Sequence, residues 1–253
     1  MDSPILVTGG TGTLGREVVR LLLEDKREVR VMSRRARPEG DTGPYEWARA
    51  DLVTGEGTDA AVAGAGAIVH CATTRGKGDA EATRRLVQAA RRAGNPHLVY
   101  ISIVGIDRVP MFYYRAKLAA ERIIEESGLP WTTLRTTQFH DLIAMFTAVQ
   151  RWLPVTLTLG GGVRLQPIEV REVAARLAEL AVAEPAGRVE DMGGPQVRTA
   201  VELTRTTLRA YGRRRPVLPL RWPGASFRAL REGGLLAPDH AVGQGTFDDF
   251  LAR

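Results

Sequence analysis

Cysteine is nearly missing from this chain. With Cys71 alone among 253 residues, no internal disulfide forms and no cysteine-rich metal site can be built. Its setting, Ala67-Ile68-Val69-His70-Cys71-Ala72, reads as a buried, inert thiol. Aromatic residues are also scarce, at 6%, and few of them flank the arginines that dominate the net charge of +6. The charge, even at the dense knot Arg213-Arg214-Arg215, therefore reads as solvated surface and not as a nucleic-acid interface. Long apolar runs are lacking too: the most apolar window, around Ala60 to Ala72, is broken by glycines and is too short to span a bilayer. The first residues show no basic stretch followed by an apolar core. The expectation is a soluble, cytoplasmic protein with neither a membrane nor a nucleic acid among its partners. No fixed-period repeat and no low-complexity segment occurs.

What is present begins at once. Ile5-Leu6-Val7-Thr8 is an apolar β-type run. It ends in the glycine-dense turn Gly9-Gly10-Thr11-Gly12-Thr13-Leu14-Gly15 and passes into Arg16-Glu17-Val18-Val19-Arg20-Leu21-Leu22-Leu23, whose apolar residues recur at helical spacing. Strand, turn and helix in this order are the context that gives a glycine pattern meaning. Gly10-x-Gly12-x-x-Gly15 and Gly9-x-x-Gly12-x-x-Gly15 both satisfy dinucleotide fingerprints. Such glycines allow a tight turn, close approach of a pyrophosphate and close helix–sheet contact, while the helix start offers free N–H groups to the anion.

Glu28-Val29-Arg30-Val31-Met32-Ser33 reads as the second strand. At its end a carboxylate would hold the ribose hydroxyls of NAD, whereas an arginine suits the additional phosphate of NADP. No acid lies between Val29 and Pro38. Ser33, Arg34 and Arg35 offer a hydroxyl and two guanidinium groups, which favours NADP. Tyr45 to Ala50 reads as a third strand ending at Asp51-Leu52, where Asp51 either meets an adenine amino group or caps the next turn. A short helix over Thr58 to Ala63 and strands over Ala67 to Cys71, His97 to Ser102 and Trp131 to Arg135 follow. Helices over Ala80 to Ala93 and Pro110 to Ser127 are interleaved with them. His70 reads as a packed core histidine. This alternation predicts an α/β fold with a doubly wound parallel sheet. All 253 residues are expected to form a single dinucleotide-binding domain. A small irregular C-terminal lobe, mainly 138–165 and 195–253, is expected to cover a small-molecule substrate. Within it, Asp141 to Trp152, Glu169 to Ala183 and Ala200 to Tyr211 read as helices, residues 159–163 as a loop or hairpin and Arg188 to Met192 as a late strand. The segment from Gly212 to Gly245 reads as an irregular tail.

Tyr113-x-x-x-Lys117 lies on the helix after the fifth strand. Four residues apart on a helix means one face, one turn apart. An ammonium near a phenol favours phenolate, so Tyr113 suits acid/base work near neutrality and Lys117 can also hold a ribose. Plain aromatic packing of Phe112, Tyr113 and Tyr114 is the competing explanation. His140, after Phe139, either meets substrate or relays a proton at the pocket mouth, or simply opens a helix.

These motifs together resemble the short-chain dehydrogenase/reductase superfamily, and within it the atypical NmrA-like branch of NAD(P)-binding Rossmann proteins. The resemblance extends over Thr8 to Gly15, Tyr113 to Lys117 with Glu121, Ser127 to Phe139, Gln166 to Ala174 and Gly193-Gly194-Pro195. It implies that Thr8, Gly9, Gly10, Thr11, Gly12, Thr13, Leu14 and Gly15 hold the pyrophosphate. By the same resemblance Ser33, Arg34 and Arg35 hold the 2′-phosphate, and Asp51 with Leu52 the adenine. Cys71, Ala72 and Thr73 would flank the inner ribose, and Thr136, Gln138 and Phe139 would line the nicotinamide. Tyr113, Lys117 and Ser102 are the implied catalytic group, although Ser102 stands two residues before the usual serine position, which here holds Val104. The implied activity is an NADPH-dependent reduction of a carbonyl or activated double bond in a small organic compound, by a monomer or homodimer. An NADP-binding redox sensor without turnover and a non-redox isomerase or cyclase are the alternatives.

Overall fold

The computed structural model describes residues 3–74, 76 and 78–253. The chain divides into two compact units, each assembled from three separate stretches. The first holds residues 1–102, 115–134 and 173–189; the second holds 103–114, 135–172 and 190–253.

The first unit is built on the strands β1 (Ile5–Thr8), β2 (Val29–Ser33), β3 (Glu46–Arg49), β4 (Ala67–His70), β5 (His97–Ile103), β6 (Trp131–Thr136) and β9 (Gly187–Arg188). They form a parallel seven-stranded sheet in the order β3-β2-β1-β4-β5-β6-β9. Order reverses between β1 and β4, both of which pair with their neighbours in parallel. That reversal opens a crevice at the carboxyl ends of the two central strands, where open α/β sheets bind ligands. Both strands are buried along their whole length, which explains why they read as continuous apolar runs and not as alternating ones. Around the sheet lie α1 (Thr13–Glu24), α2 (Thr58–Val62), α3 (Gly78–Arg92) and most of α4 (Phe112–Glu125). Leu6, Ile68, Leu86, Leu98, Tyr100 and Ile124 are wholly buried members of its core. The doubly wound parallel fold expected from the sequence is the one observed.

The second unit contains α5 (His140–Ala148), β7 (Thr156–Leu159), β8 (Arg164–Leu165), β10 (Arg198–Thr199), α7 (Ala200–Ala210), β11 (Val217–Leu220), α8 (Ala225–Arg231), a 3-10 turn (Pro238–His240) and α9 (Phe247–Leu251). Between the stretches of this unit runs α6 (Val170–Val182). Two expectations fail here. Of the loop or hairpin left open for residues 159–163 the structure has the loop, with β7 pairing in parallel with β11 while β8 pairs antiparallel with β10. The segment from Gly212 is not irregular: Val217-Leu218-Pro219-Leu220 forms β11 against β7. Pro219 hides this strand from a sequence reading, yet a two-stranded ribbon leaves edge positions that need no donor. The late strand is also shorter than Arg188 to Met192. Thr133 pairs with Arg188 and Thr136 with Met192, so five residues oppose four and the extra one forms a bulge.

Helix α5 stops at Ala148, four residues before the expected end. In the turns that follow, the Arg215 guanidinium donates to the carbonyl oxygens of Gln150 at 3.0 Å, Leu153 at 2.9 Å and Arg151. Helix α7 starts on a capping box in which Thr199 and Glu202 satisfy each other's backbone N–H groups.

Candidate functional site

The turn between β1 and α1 is shaped by contacts that only glycine permits. Gly9 sits at φ +66°, and a Cβ there would lie 2.8 Å from the Ala72 nitrogen. A Cβ on Gly15 would approach the Gly9 carbonyl oxygen to 2.2 Å. At Gly12, by contrast, a Cβ would meet only that same oxygen, at 3.2 Å, and the residue is exposed. Helix α1 begins with Gly12 as its N-cap, with no side-chain cap and no acid in its first turn. The N–H groups of Thr13, Leu14 and Gly15 therefore face outward without an internal acceptor, a ready place for an anion. Thr8 and Leu14 are buried on either side of this turn, Gly10 is packed against Val31, and Thr11 is exposed beside Gly12. The residues present fit a pyrophosphate.

At the end of β2, Ser33 is buried and its Oγ accepts from the Arg35 N–H at 3.3 Å. The Arg34 and Arg35 guanidinium groups are exposed and, among the described residues, have no hydrogen-bond or carboxylate partner. The arginines that do have such partners in this region are others: Arg30 meets Glu46 at 2.6 Å, and Arg37 meets the Gly43 carbonyl at 2.5 Å. Asp51 resolves the sequence's open choice in part. Its Oδ1 accepts from the Val53 N–H at 2.8 Å, so it caps the turn after β3, while Leu52 beside it is buried.

After β4 the chain is held by Thr8 and Asp79. The Cys71 N–H donates to the Thr8 carbonyl at 3.2 Å, and the Ala72 N–H to Thr8 Oγ1 at 3.3 Å. The Asp79 carboxylate, buried at the start of α3, accepts from Thr73 Oγ1 at 2.8 Å, from Thr74 Oγ1 at 2.7 Å and from the Thr74 N–H. The sequence reading missed Asp79; an acid in the first turn of an arginine-rich helix was the available signal. Burial pushes the Cys71 thiol up to about 12, which makes it an inert thiol and not a nucleophile. His70 lies 2.7 Å from Thr8 Oγ1 and 3.3 Å from Thr83 Oγ1 and stacks on Tyr100, ring centroids 5.3 Å apart. Burial, reinforced by the charge of Lys117, pulls it down to about 3. It is the packed core histidine that was expected.

Lys117 projects from α4 into the same unit. Its Nζ donates to the Ile101 carbonyl at 2.8 Å and stands 4.1 Å from the centre of the Tyr100 ring. Only 4% of the residue is exposed. Burial draws the ammonium down to about 8, against the opposing pull of Asp79 and Glu121. Ser102, at the end of β5, is buried and its Oγ has no hydrogen-bond partner.

The second unit carries the remaining candidates. Tyr113 is partly exposed in the first turn of α4, its ring 5.9 Å from that of Tyr114. Val104 is buried in the turn after β5, and its N–H donates to the Thr136 carbonyl. Gln138 is 9% exposed, with both amide atoms buried and unpartnered. Its backbone is fixed instead: the Ile168 N–H donates to the Gln138 carbonyl at 2.9 Å, and Phe139 bridges Ile168 as the N-cap of α5. Gln166 braces this region by donating to the Gly194 and Ala237 carbonyls and accepting from the Ala237 N–H. His140 is not at a pocket mouth. It is fully buried, held at 3.1 Å by the Gly245 carbonyl and flanked by Phe247 and Phe250. Burial lowers its pKa, and it stands as the first residue of α5.

A family profile described as NAD(P)H-binding matches residues 9–180. The chain belongs to the NAD(P)H-binding family. A (4-alkanoyl-5-oxo-2,5-dihydrofuran-3-yl)methyl phosphate reductase from Streptomyces griseus is 31% identical over 90% of this chain and 79% of its own length. An NAD(P)H azoreductase from Xenophilus azovorans is 29% identical over 83% of this chain and 74% of its own. Among solved structures, the NADPH complex of an NADPH-dependent quinone oxidoreductase from Escherichia coli superposes with a TM-score of 0.83 at 17% identity, covering 98% of both chains. That likeness is one of fold. Membership agrees with the glycine turn, the uncapped helix and the strand order, and with the resemblance to the atypical short-chain dehydrogenases. Among the described residues no group of three potential ligands for a metal ion occurs.

Proposed function

We propose that this NAD(P)H-binding protein is an NADPH-dependent reductase acting on a carbonyl or an activated double bond of a small organic compound. When bound, the reduced nicotinamide supplies the hydride. The chain's own residues bind, orient and protonate. In this reading Gly9 to Gly15 and the first turn of α1 receive the pyrophosphate, Arg34 and Arg35 the 2′-phosphate, and Cys71, Ala72 and Thr73 the inner ribose. Asp51 and Leu52 border the adenine, while Thr136, Gln138 and Phe139 border the nicotinamide, with the unpartnered Gln138 amide offering a donor and an acceptor. Tyr113 gives its hydroxyl proton to the substrate. Lys117, a cation on the same helix, favours the phenolate left behind. The second unit is the natural source of substrate contacts.

The observation that carries the cofactor preference is the pair of exposed, unpartnered guanidinium groups at the end of β2, in a stretch without any carboxylate. A guanidinium gives a paired, charge-assisted contact to phosphate. Titration of the protein with NADP and NAD tests it. Tighter binding of NADP, lost when Arg34 and Arg35 are both changed to Ala, is the expected result, and equal affinities would refute it. Turnover is tested by following NADPH absorbance with quinones, ketones and aldehydes beside Tyr113→Phe. A substrate-dependent rate should fall roughly 10²- to 10⁴-fold in the variant.

One observation favours a second reading, an NADP-holding sensor without turnover. Position 104 carries a valine where the superfamily's serine would stand, and the hydroxyl of Ser102, two residues earlier, is buried. Losing a donor to a developing oxyanion costs on the order of 10²- to 10³-fold in rate. NADPH bound but never consumed across the panel would favour the sensor.

A further inference from the structure

Between residues 203 and 231 the sequence holds eight arginines and no carboxylate. The chain as a whole has a net charge of +6, so these 29 residues exceed it and all the rest sums to about −2. Six of the eight, Arg205, Arg209, Arg214, Arg221, Arg228 and Arg231, are exposed. The excess charge is therefore local and belongs to the second unit.

An uncovered apolar face lies beside it. On α5 and the turns that follow, Phe146 is 57% exposed, Val149 66% and Trp152 82%. Leu142 and Met145 continue the stripe at helical spacing and are also exposed. Arg215 ties the two features together. By donating to the carbonyls of Gln150, Arg151 and Leu153, it pins the arginine knot against the end of this stripe. The β7–β11 ribbon adds a second tie, with exposed Leu157 and Leu218 side by side in register. Arg151 lies over the Trp152 ring, 5.0 Å from its centroid.

We propose that this face docks on an anionic lipid surface. Charge complementarity decides the occupant. A short helix with an aromatic and aliphatic face and arginines at its rim is the composition that rests in a membrane interface, apolar side among the acyl chains and cations at the headgroups. A second copy meeting the same patch across a two-fold axis would set one arginine-rimmed face against another. Single-stranded nucleic acid needs planar rings for its bases, and the stripe is mostly aliphatic. No helix among the described residues is long and apolar enough to cross a membrane, so the contact is peripheral. The expectation that no membrane is involved rested on missing spans, which say nothing about an interface.

Sedimentation with vesicles tests this on the full chain. The protein should pellet with phosphatidylcholine vesicles containing about one-third phosphatidylglycerol, far less with phosphatidylcholine alone, and progressively less as salt rises. Arg151→Glu with Arg214→Glu should lower partitioning about tenfold or more, and so should Phe146→Ser with Trp152→Ser. All four positions are exposed, and unchanged circular dichroism and NADPH binding confirm that the variants are folded. No partitioning to the anionic vesicles at low salt overturns the proposal, as does partitioning that ignores both pairs of substitutions. A dimer in light scattering that dissolves with Phe146→Ser, or an oligonucleotide bound at lower protein concentration than the vesicles, overturns it equally.

Discussion

Gly15 leaves no room for a methyl group. A Cβ there would stand 2.2 Å from a backbone oxygen, that of Gly9, so Gly15→Ala must push the first turn of α1 away from the strand. The expected cost is roughly 1–3 kcal/mol of stability, typical of overpacking, with a weakened dinucleotide affinity measured beside the melting temperature. Lys117 makes a prediction with a sign. Its folded pKa of about 8 lies below the ordinary lysine value of 10.5, so between these two values the unfolded chain holds more protons than the folded one. Stability from this group therefore rises with pH across that window. Denaturant titrations should show the rise in the parent and its absence in Lys117→Met, while any turnover that needs the cation falls above about pH 8. His140 shows what a sequence cannot tell at this scale. Its neighbours in the chain suggested a pocket mouth, but Phe247, Phe250 and Gly245, more than a hundred residues away, enclose it.

Helix α1 is left open at its N-terminus, with neither cap nor acid. A stability-driven helix would carry one, worth about 0.3–1 kcal/mol for a carboxylate near the dipole's positive end. Thr13→Asp should therefore raise the melting temperature of the free protein and weaken the dinucleotide, because the new charge competes with the pyrophosphate for the same N–H groups. A dinucleotide affinity that stays unchanged would mean that the turn is not an anion site. The elements legible in the sequence were those whose pattern is local. Buried parallel strands such as Ile5–Thr8 and Ala67–His70 are unbroken apolar runs between glycines, and α1 has clear helical spacing. The β7–β11 ribbon was not legible. Its strands are four residues each, 61 residues apart in register, and one contains Pro219. Nothing in either segment names the other. The early end of α5 has the same origin, since Arg215, which holds the turns after it, lies outside the helix's own sequence.

On the scale of the whole molecule, three histidines are held below their ordinary pKa by burial: His70 at about 3, with His97 and His140 lowered as well. Each binds a proton less readily in the folded chain than in the unfolded one, where histidine titrates near pH 6.5. Stability is therefore lost as pH falls below that value, and His70 alone would account for ~2 kcal/mol by pH 5. Urea midpoints measured between pH 7.5 and 5 should fall, and fall less steeply in His70→Gln, provided that variant still folds at neutral pH. The interleaving of the two units carries a last consequence, for how the chain is made. Each unit draws on three stretches, so the polypeptide passes between them five times. The strand that ends the seven-stranded sheet, Gly187–Arg188, leaves the ribosome only after α5, β7 and β8 have already been synthesised. Neither unit can be completed before much of the other exists. A single cut through the gene cannot yield either one intact, and exchanging one unit for a relative's would mean splicing at every crossing.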